Sequence, residues 1–324
     1  MDRPDGAGAI VASLKIRAMP SHLLIPLAAS QTPGCEQALS HLKLPQLDRL
    51  LARLTLSHTD TGQEADFAPP HERALARALG LPEPATPWAA AAQHTAGEGW
   101  AYLTPCHWQV GADHVTLLHP AQLQLTEADS RTLVDLLAPW LAQDGITLSY
   151  EQSTRWLARG DLFKDLESAS LDRVIDRDVR AWMPRGPRAT EVQRLHSEVQ
   201  MLLYTHAFSE ARAAAGQLAV NAFWVHGAGQ LATLPAPRDA PEMPGALFDA
   251  ALQQDWSAWA RAWQQLDSGP VAELLRQALA DNRVTLTLCG EASALSFTSQ
   301  QRGLGAKIHS LFGRQRFADL RKQL

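Results

Sequence analysis

Ala219-Val220-Asn221-Ala222-Phe223-Trp224-Val225-His226-Gly227-Ala228-Gly229 is the stretch on which the fold turns. From Ala219 to Val225 every residue but Asn221 is apolar. A run this short and this apolar, bounded by glycines, reads as a central strand. His226-Gly227-Ala228-Gly229 then predicts a glycine-rich turn at the end of that strand. Ligands of α/β sheets bind at such ends, and backbone N–H groups freed by glycines can hold an anion. Residues 230–245 are rich in proline, so no helix N-terminus is expected to follow. Asn221, Trp224, His226, Gly227 and Gly229 are therefore the first candidate ligand-binding residues.

Working outward, elements of both kinds surround this strand. His22 to Leu27 is a short apolar run, read as a first buried strand. The leucines at 44, 47, 50, 51 and 54 form a helical stripe, and residues 57–70 read as a loop. His71 to Leu79 is a helix opened by prolines and closed by Gly80; residues 80–99 read as a long connection. Trp100 to Val110 and His114 to Leu118 are two strands around a Gly111-Ala112-Asp113 turn. Thr126 starts a capped helix that Pro139 bends or ends. Ile146 to Tyr150 alternates as a strand does. Thr190-x-x-Gln193 has the form of a capping box, with Val192, Leu195, Val199 and Leu202 behind it on one helix face. Leu247 to Trp263, Val271 to Leu279 and Lys307 to Leu320 read as helices, and Val284 to Leu288 as a half-buried strand. Such alternation argues an α/β or α+β domain.

Other side chains are candidates for chemistry. His107 follows a strand within Thr104-Pro105-Cys106-His107-Trp108 and is a candidate ligand contact; a half-buried structural histidine satisfies the same sequence. Cys106 and His107 are neighbours on a strand, point to opposite faces and cannot pair. Glu198 lies beside Val199, Leu202 and Leu203, where burial would raise its pKa; on the flank of that stripe it reaches solvent or an arginine instead. Asp172, Asp176 and Asp178 could hold Mg²⁺, but Arg173, Arg177 and Arg180 are interleaved with them and ion pairs account for the set. Trp256, Trp259 and Trp263 fall on one helix face, more like core packing than a partner surface.

The 324-residue chain is 46% hydrophobic, 19% charged and has a net charge of −5. That supports a sizeable core and excludes a disordered chain or a general polyanion binder. From Arg302 onward the charge is +5, leaving −10 on residues 1–301. The basic end lacks an aromatic ladder, so nucleic acid is not the expected partner. Three cysteines, Cys35, Cys106 and Cys289, form no CxxC pair and read as reduced thiols of a cytoplasmic protein. No apolar run reaches the length of a membrane span. Residues 1–18 have the wrong charge order for a secretory signal and read as a disordered extension, with Met19 as an alternative start. No P-loop, GxSxG elbow or HExxH motif occurs.

Seven segments taken together resemble one family: HLLIPL (22–27), PHERALARALGL (70–81), TPCHWQVGADHVTL (104–117), ASLDRVIDRDVRAW (169–182), EVQMLLYTH (198–206), VNAFWVHGAG (220–229) and LTLCGE (286–291). They resemble the RpfE-type regulatory proteins of proteobacteria, homologues of cofactor-independent phosphoglycerate mutase. Asn221, Trp224, Gly227 and Gly229 match the Asn-x-x-Trp-x-x-Gly-x-Gly stretch of archaeal-type mutases. The resemblance implies an α/β fold with a mixed sheet flanked by helices, a reduced alkaline-phosphatase/phosphoglycerate-mutase-like scaffold, spanning 19–324 as one domain. The mutases place an Asp after the first strand and hold two divalent metals. Here Pro26-Leu27-Ala28-Ala29 follows that strand, and no two-metal set assembles.

The expectation is thus a non-catalytic, cytoplasmic regulatory or ligand-binding protein without metal or other cofactor. Its partner would be a small anionic ligand or another protein, bound near Asn221 to Gly229 with His107 and Glu198 as neighbours. The alternative is a metal-dependent phosphoglycerate mutase or related phosphatase recruiting Asp113, His114, Asp172, Asp176 and Asp178.

Overall fold

The computed structural model describes residues 21–299 and 316–324. The expected N-terminal extension, the alternative start at Met19 and most of the basic C-terminal stretch lie outside the described residues. Ten strands are present among the described residues: β1 (His22–Ile25), β2 (Thr55–Thr61), β3 (Trp100–Cys106), β4 (Trp108–Val110), β5 (Val115–Leu117), β6 (Thr147–Gln152), β7 (Arg155–Arg159), β8 (Ala222–Gly229), β9 (Thr285–Cys289) and β10 (Ser293–Thr298). The fold is mixed α/β, with multi-stranded sheets flanked by helices. The chain divides into two compact units. The middle unit is Leu81–Ala236; the outer unit combines residues 21–80 with 237–299 and 316–324. No helix among the described residues is long and apolar enough to cross a membrane.

The outer unit carries the mixed sheet, in the order β1-β9-β10-β2. β1 and β9 are parallel, with Leu24 opposite Thr287; the other pairings are antiparallel. Leu23, Ile25, Leu286, Leu288, Leu295 and Phe297 enter the core of this unit, which the Trp259–Trp263 face closes. Both indoles are fully buried and donate to the backbone just past β1: Trp259 to Leu27 O at 3.0 Å and Trp263 to Ala28 O at 3.2 Å. The tryptophan stripe is core, as its spacing predicts. Helix Pro70–Leu79 and its left-handed closure at Gly80 also follow the sequence. Two elements do not. β2 occupies residues read as leucine stripe and loop, and the 247–263 helix is broken into Phe248–Leu252 and Trp256–Leu266. The break falls at Gln254, whose φ of 54° no helix accommodates.

The middle unit is built on a wholly antiparallel sheet in the order β6-β7-β3-β8, with β4 and β5 as a separate hairpin. The hairpin turn is the Gly111-Ala112-Asp113 turn read from sequence, with Val110 opposite Val115. One sheet face packs Ala101, Leu103, Trp156, Ala158, Phe223 and Val225 against two helices. Helix Glu127–Leu141 begins at a capping box between Thr126 and Asp129, and Pro139 lies within its last turn. Helix Ala189–Tyr204 starts one residue before Thr190, so Thr190-x-x-Gln193 is not its cap; its buried stripe is Val192, Leu195, Val199 and Leu203 rather than Leu202. β7 carries no polar–apolar alternation, because Arg155 through Ala158 are all buried, and it goes unread in the sequence. The connection 80–99 contains helix Trp88–Gln93.

Candidate functional site

The glycine segment is the first correction. Residues 226–229 are not a turn but the last half of β8, which runs unbroken from Ala222 to Gly229 beside β3. Tyr102 opposes His226 and Trp100 opposes Gly229, with a bulge between them. The glycines serve close packing. A Cβ on Gly227 would stand 3.1 Å from Trp88 Cβ and 3.2 Å from a Tyr102 ring carbon, and one on Gly229 2.9 Å from Pro87 Cβ. Both residues have positive φ, 58° and 139°, where a side chain is strained. The Ala228 N–H between them is taken by Ser168 Oγ at 3.1 Å. That N–H is therefore not open to an anion.

Asn221 and Trp224 are likewise committed within the unit. Asn221 accepts the Trp108 N–H at 2.7 Å and donates to the Trp108 carbonyl at 3.0 Å. This two-way clamp continues the association of the two chain segments beyond Cys106, where β3 ends. His107 itself donates from Nδ1 to Ala219 O at 2.8 Å. Trp224 is fully buried and donates to Ala169 O at 3.1 Å. Asn221, His107 and Trp108 therefore come together, as a backbone junction. Glu198 stands apart from them, paired with Arg194 at 3.0 Å on the helix surface, and Arg194 also reaches Asp144. Its reading as a flank residue that meets an arginine fits this position.

Two carboxylates of the alternative reading, Asp113 and Asp178, sit in local pairs. Asp113 meets its neighbour His114 at 2.7 Å, and Asp178 is forked by Arg180 at 2.6–3.0 Å. The Arg180 guanidinium holds the Asp178 carboxyl down at about 2. All three cysteines are free and buried, and burial pushes their thiols up, Cys35 to about 11. None is a thiolate near neutral pH.

One candidate histidine does sit in a chemically suggestive place. His226 shares a hydrogen bond with Thr104 Oγ1 at 3.0 Å, across the β3–β8 ladder. Its ring lies 5.5 Å from that of Tyr102, centroid to centroid. On the other side of Tyr102 is Arg155 of β7, its Cζ 4.8 Å from the ring centroid. Four side chains, His226, Thr104, Tyr102 and Arg155, thus form a polar row across three strands, on the face opposite the apolar core. Burial, joined by the nearby Arg155 charge, lowers the His226 pKa to about 3, so the ring is neutral at pH 7. Burial raises Tyr102 to about 12, with Arg155 opposing it, so the phenol keeps its proton.

Arg155 is the residue that sequence reading missed. It is 7% exposed. Its Nε donates to Glu151 Oε2 at 2.9 Å, its one ion pair among the described residues. Its two terminal nitrogens have no protein acceptor among the described residues. The signal in the sequence was Glu151-x-x-x-Arg155 around Ser153-Thr154, which makes Glu and Arg neighbours across the tight β6–β7 turn. A row with a buried cation, three neutral hydrogen-bonding groups and no free carboxylate can bind an anion; it offers no charged base for catalysis.

Comparison with known proteins adds little identity. No family model matches the chain, and no curated protein matches it. Two solved structures are similar to the chain. A cofactor-independent phosphoglycerate mutase from Thermoplasma acidophilum DSM 1728 aligns over 91% of this chain and 96% of its own, at 13% identity and a TM-score of 0.35. The PH0037 protein from Pyrococcus horikoshii aligns over 87% of this chain and 88% of its own, at 11% identity and a TM-score of 0.35. At that level neither neighbour's activity passes to this chain.

Proposed function

We propose that the chain is a non-catalytic regulatory protein of the RpfE type, acting in the cytoplasm, whose middle unit binds a small anionic ligand at Arg155. The observation that supports this reading is the guanidinium itself. It is buried, it lies against the Tyr102 ring, and only its Nε is spent on a carboxylate. A buried cation with open N–H groups is stabilised by an incoming anion far more than an exposed one. Thr104 and neutral His226 supply further hydrogen bonds without adding charge. The candidate residues Asn221, Trp224, Gly227 and Gly229 support the site by fixing β8 against β3, rather than by touching the ligand.

Calorimetric titration of the protein with inorganic phosphate tests this. The wild type is expected to bind saturably, and Arg155→Gln to lose that binding while keeping its circular dichroism. Equal binding by both proteins would refute the assignment.

A further inference from the structure

We propose a second, independent binding site on the outer unit, for a small amphiphilic carboxylate such as a medium-chain fatty acid. A groove of about 300 Å³ runs between helices Pro33–His41 and Pro45–Leu51 and the C-terminal helix Phe317–Leu320. Leu39, Leu42, Leu44 and Phe317 make its apolar wall. The volume lies at the small end of ligand pockets and suits a chain of about ten heavy atoms.

Charge selects the ligand's head. Lys43 and Arg321 also line the groove, and neither meets a carboxylate within 4 Å among the described residues. Asp48 is the one acid in the lining, and its Oδ1 already accepts the Phe317 N–H at 3.0 Å. That bond ties the C-terminal helix to helix Pro45–Leu51 and keeps the groove in shape. A neutral oil would cover the leucines and leave both cations unpaired. A bare inorganic anion would meet the cations and leave the wall in water. A carboxylate on an apolar tail satisfies both, and the arginine fork suits a carboxylate in particular.

The test is calorimetry on the full chain with octanoate, octanol and acetate, each below any micelle-forming concentration. Octanoate is expected to bind saturably at one site, with octanol and acetate much weaker. Lys43→Gln and Arg321→Gln should each weaken octanoate about threefold and the double variant about tenfold, as for partly exposed ion pairs. Leu42→Glu should abolish binding. Lys43 is exposed and Arg321 half-buried, and circular dichroism of each variant checks that it folds. The Arg155 site is untouched in the double variant, which separates the two proposals. Octanoate binding no tighter than acetate, or unchanged in the double variant, overturns this one. So does light scattering that shows a dimer broken by Leu42→Glu, which would give the groove to a second copy of the chain.

Discussion

Arg155 holds its guanidinium carbon 4.8 Å from the centroid of the Tyr102 ring, on the adjacent strand of the same sheet. The aromatic face steadies the cation without consuming an N–H group, since a ring offers its π-face and not a lone pair. The guanidinium plane is thereby fixed while its terminal donors stay open. Lysine cannot reproduce this, having no planar fork. Arg155→Lys is therefore expected to keep the charge yet weaken phosphate binding by about tenfold, measured by the same titration that Arg155→Gln abolishes. The wild-type affinity should also fall as salt is raised, the mark of an electrostatic contact.

Gly227 and Gly229 make a prediction about stability rather than ligand. Gly227→Ala would bring a methyl group within 3.1 Å of Trp88 and 3.2 Å of Tyr102 at a φ of 58°. The expected loss is about 1–3 kcal/mol, read from the urea midpoint. Gly229→Ala, against Pro87 at 2.9 Å, should lose a similar amount. A neutral result at both positions would return the segment to the role of a flexible, ligand-facing turn.

Asn221→Ala removes both bonds to the Trp108 backbone and leaves that N–H and carbonyl to find water. Loss of about 2 kcal/mol is expected in chemical denaturation. Glu198→Ala, by contrast, should leave the urea midpoint and the phosphate affinity unchanged, because its partner Arg194 is also held by Asp144.

Acid should destabilise the protein through three histidines, His196 buried and His22 and His226 half-buried. Burial lowers His22 and His196 to about 4 and His226, beside Arg155, to about 3. An unfolded histidine takes up its proton near pH 6.5. Between these values the unfolded chain binds more protons, so stability is full above about pH 6.5 and falls as pH drops towards 4. Each of His22 and His196 accounts for on the order of 3 kcal/mol at full effect. His196 is packed between Trp108, at 5.2 Å, and Phe223, at 4.7 Å, ring centroid to centroid. His196→Phe should keep that packing and flatten the acid limb of Tm against pH. An unchanged slope would show that His196 titrates normally.

How legible this protein is depends on where each element meets water. The Trp259–Trp263 face, the Pro70–Leu79 helix, the Thr126 cap and the β4–β5 turn all read correctly, because periodicity and capping are local properties. β2 and β7 went unread for opposite reasons. β2 is an edge strand exposed along nearly all its length, so nothing in Thr55–Thr61 has to be apolar. β7 is buried at four of its five residues, so alternation vanishes. Arg155 starts β7, and a strand that is not read cannot offer its residues as candidates. His226 was found for a reason that did not hold, a glycine turn, and belongs to the row through Thr104 and Tyr102 instead. That row joins β3, β7 and β8, which are far apart in the chain, and no local pattern encodes such a juxtaposition.

Binding without turnover is the centre of this account. The most direct measurement follows 3-phosphoglycerate by phosphorus NMR with the purified protein and Mg²⁺, which is diamagnetic. The account predicts a saturable shift or broadening of the phosphorus resonance, lost in Arg155→Gln, with no 2-phosphoglycerate formed. Growth of a 2-phosphoglycerate resonance at an enzymatic rate would contradict it.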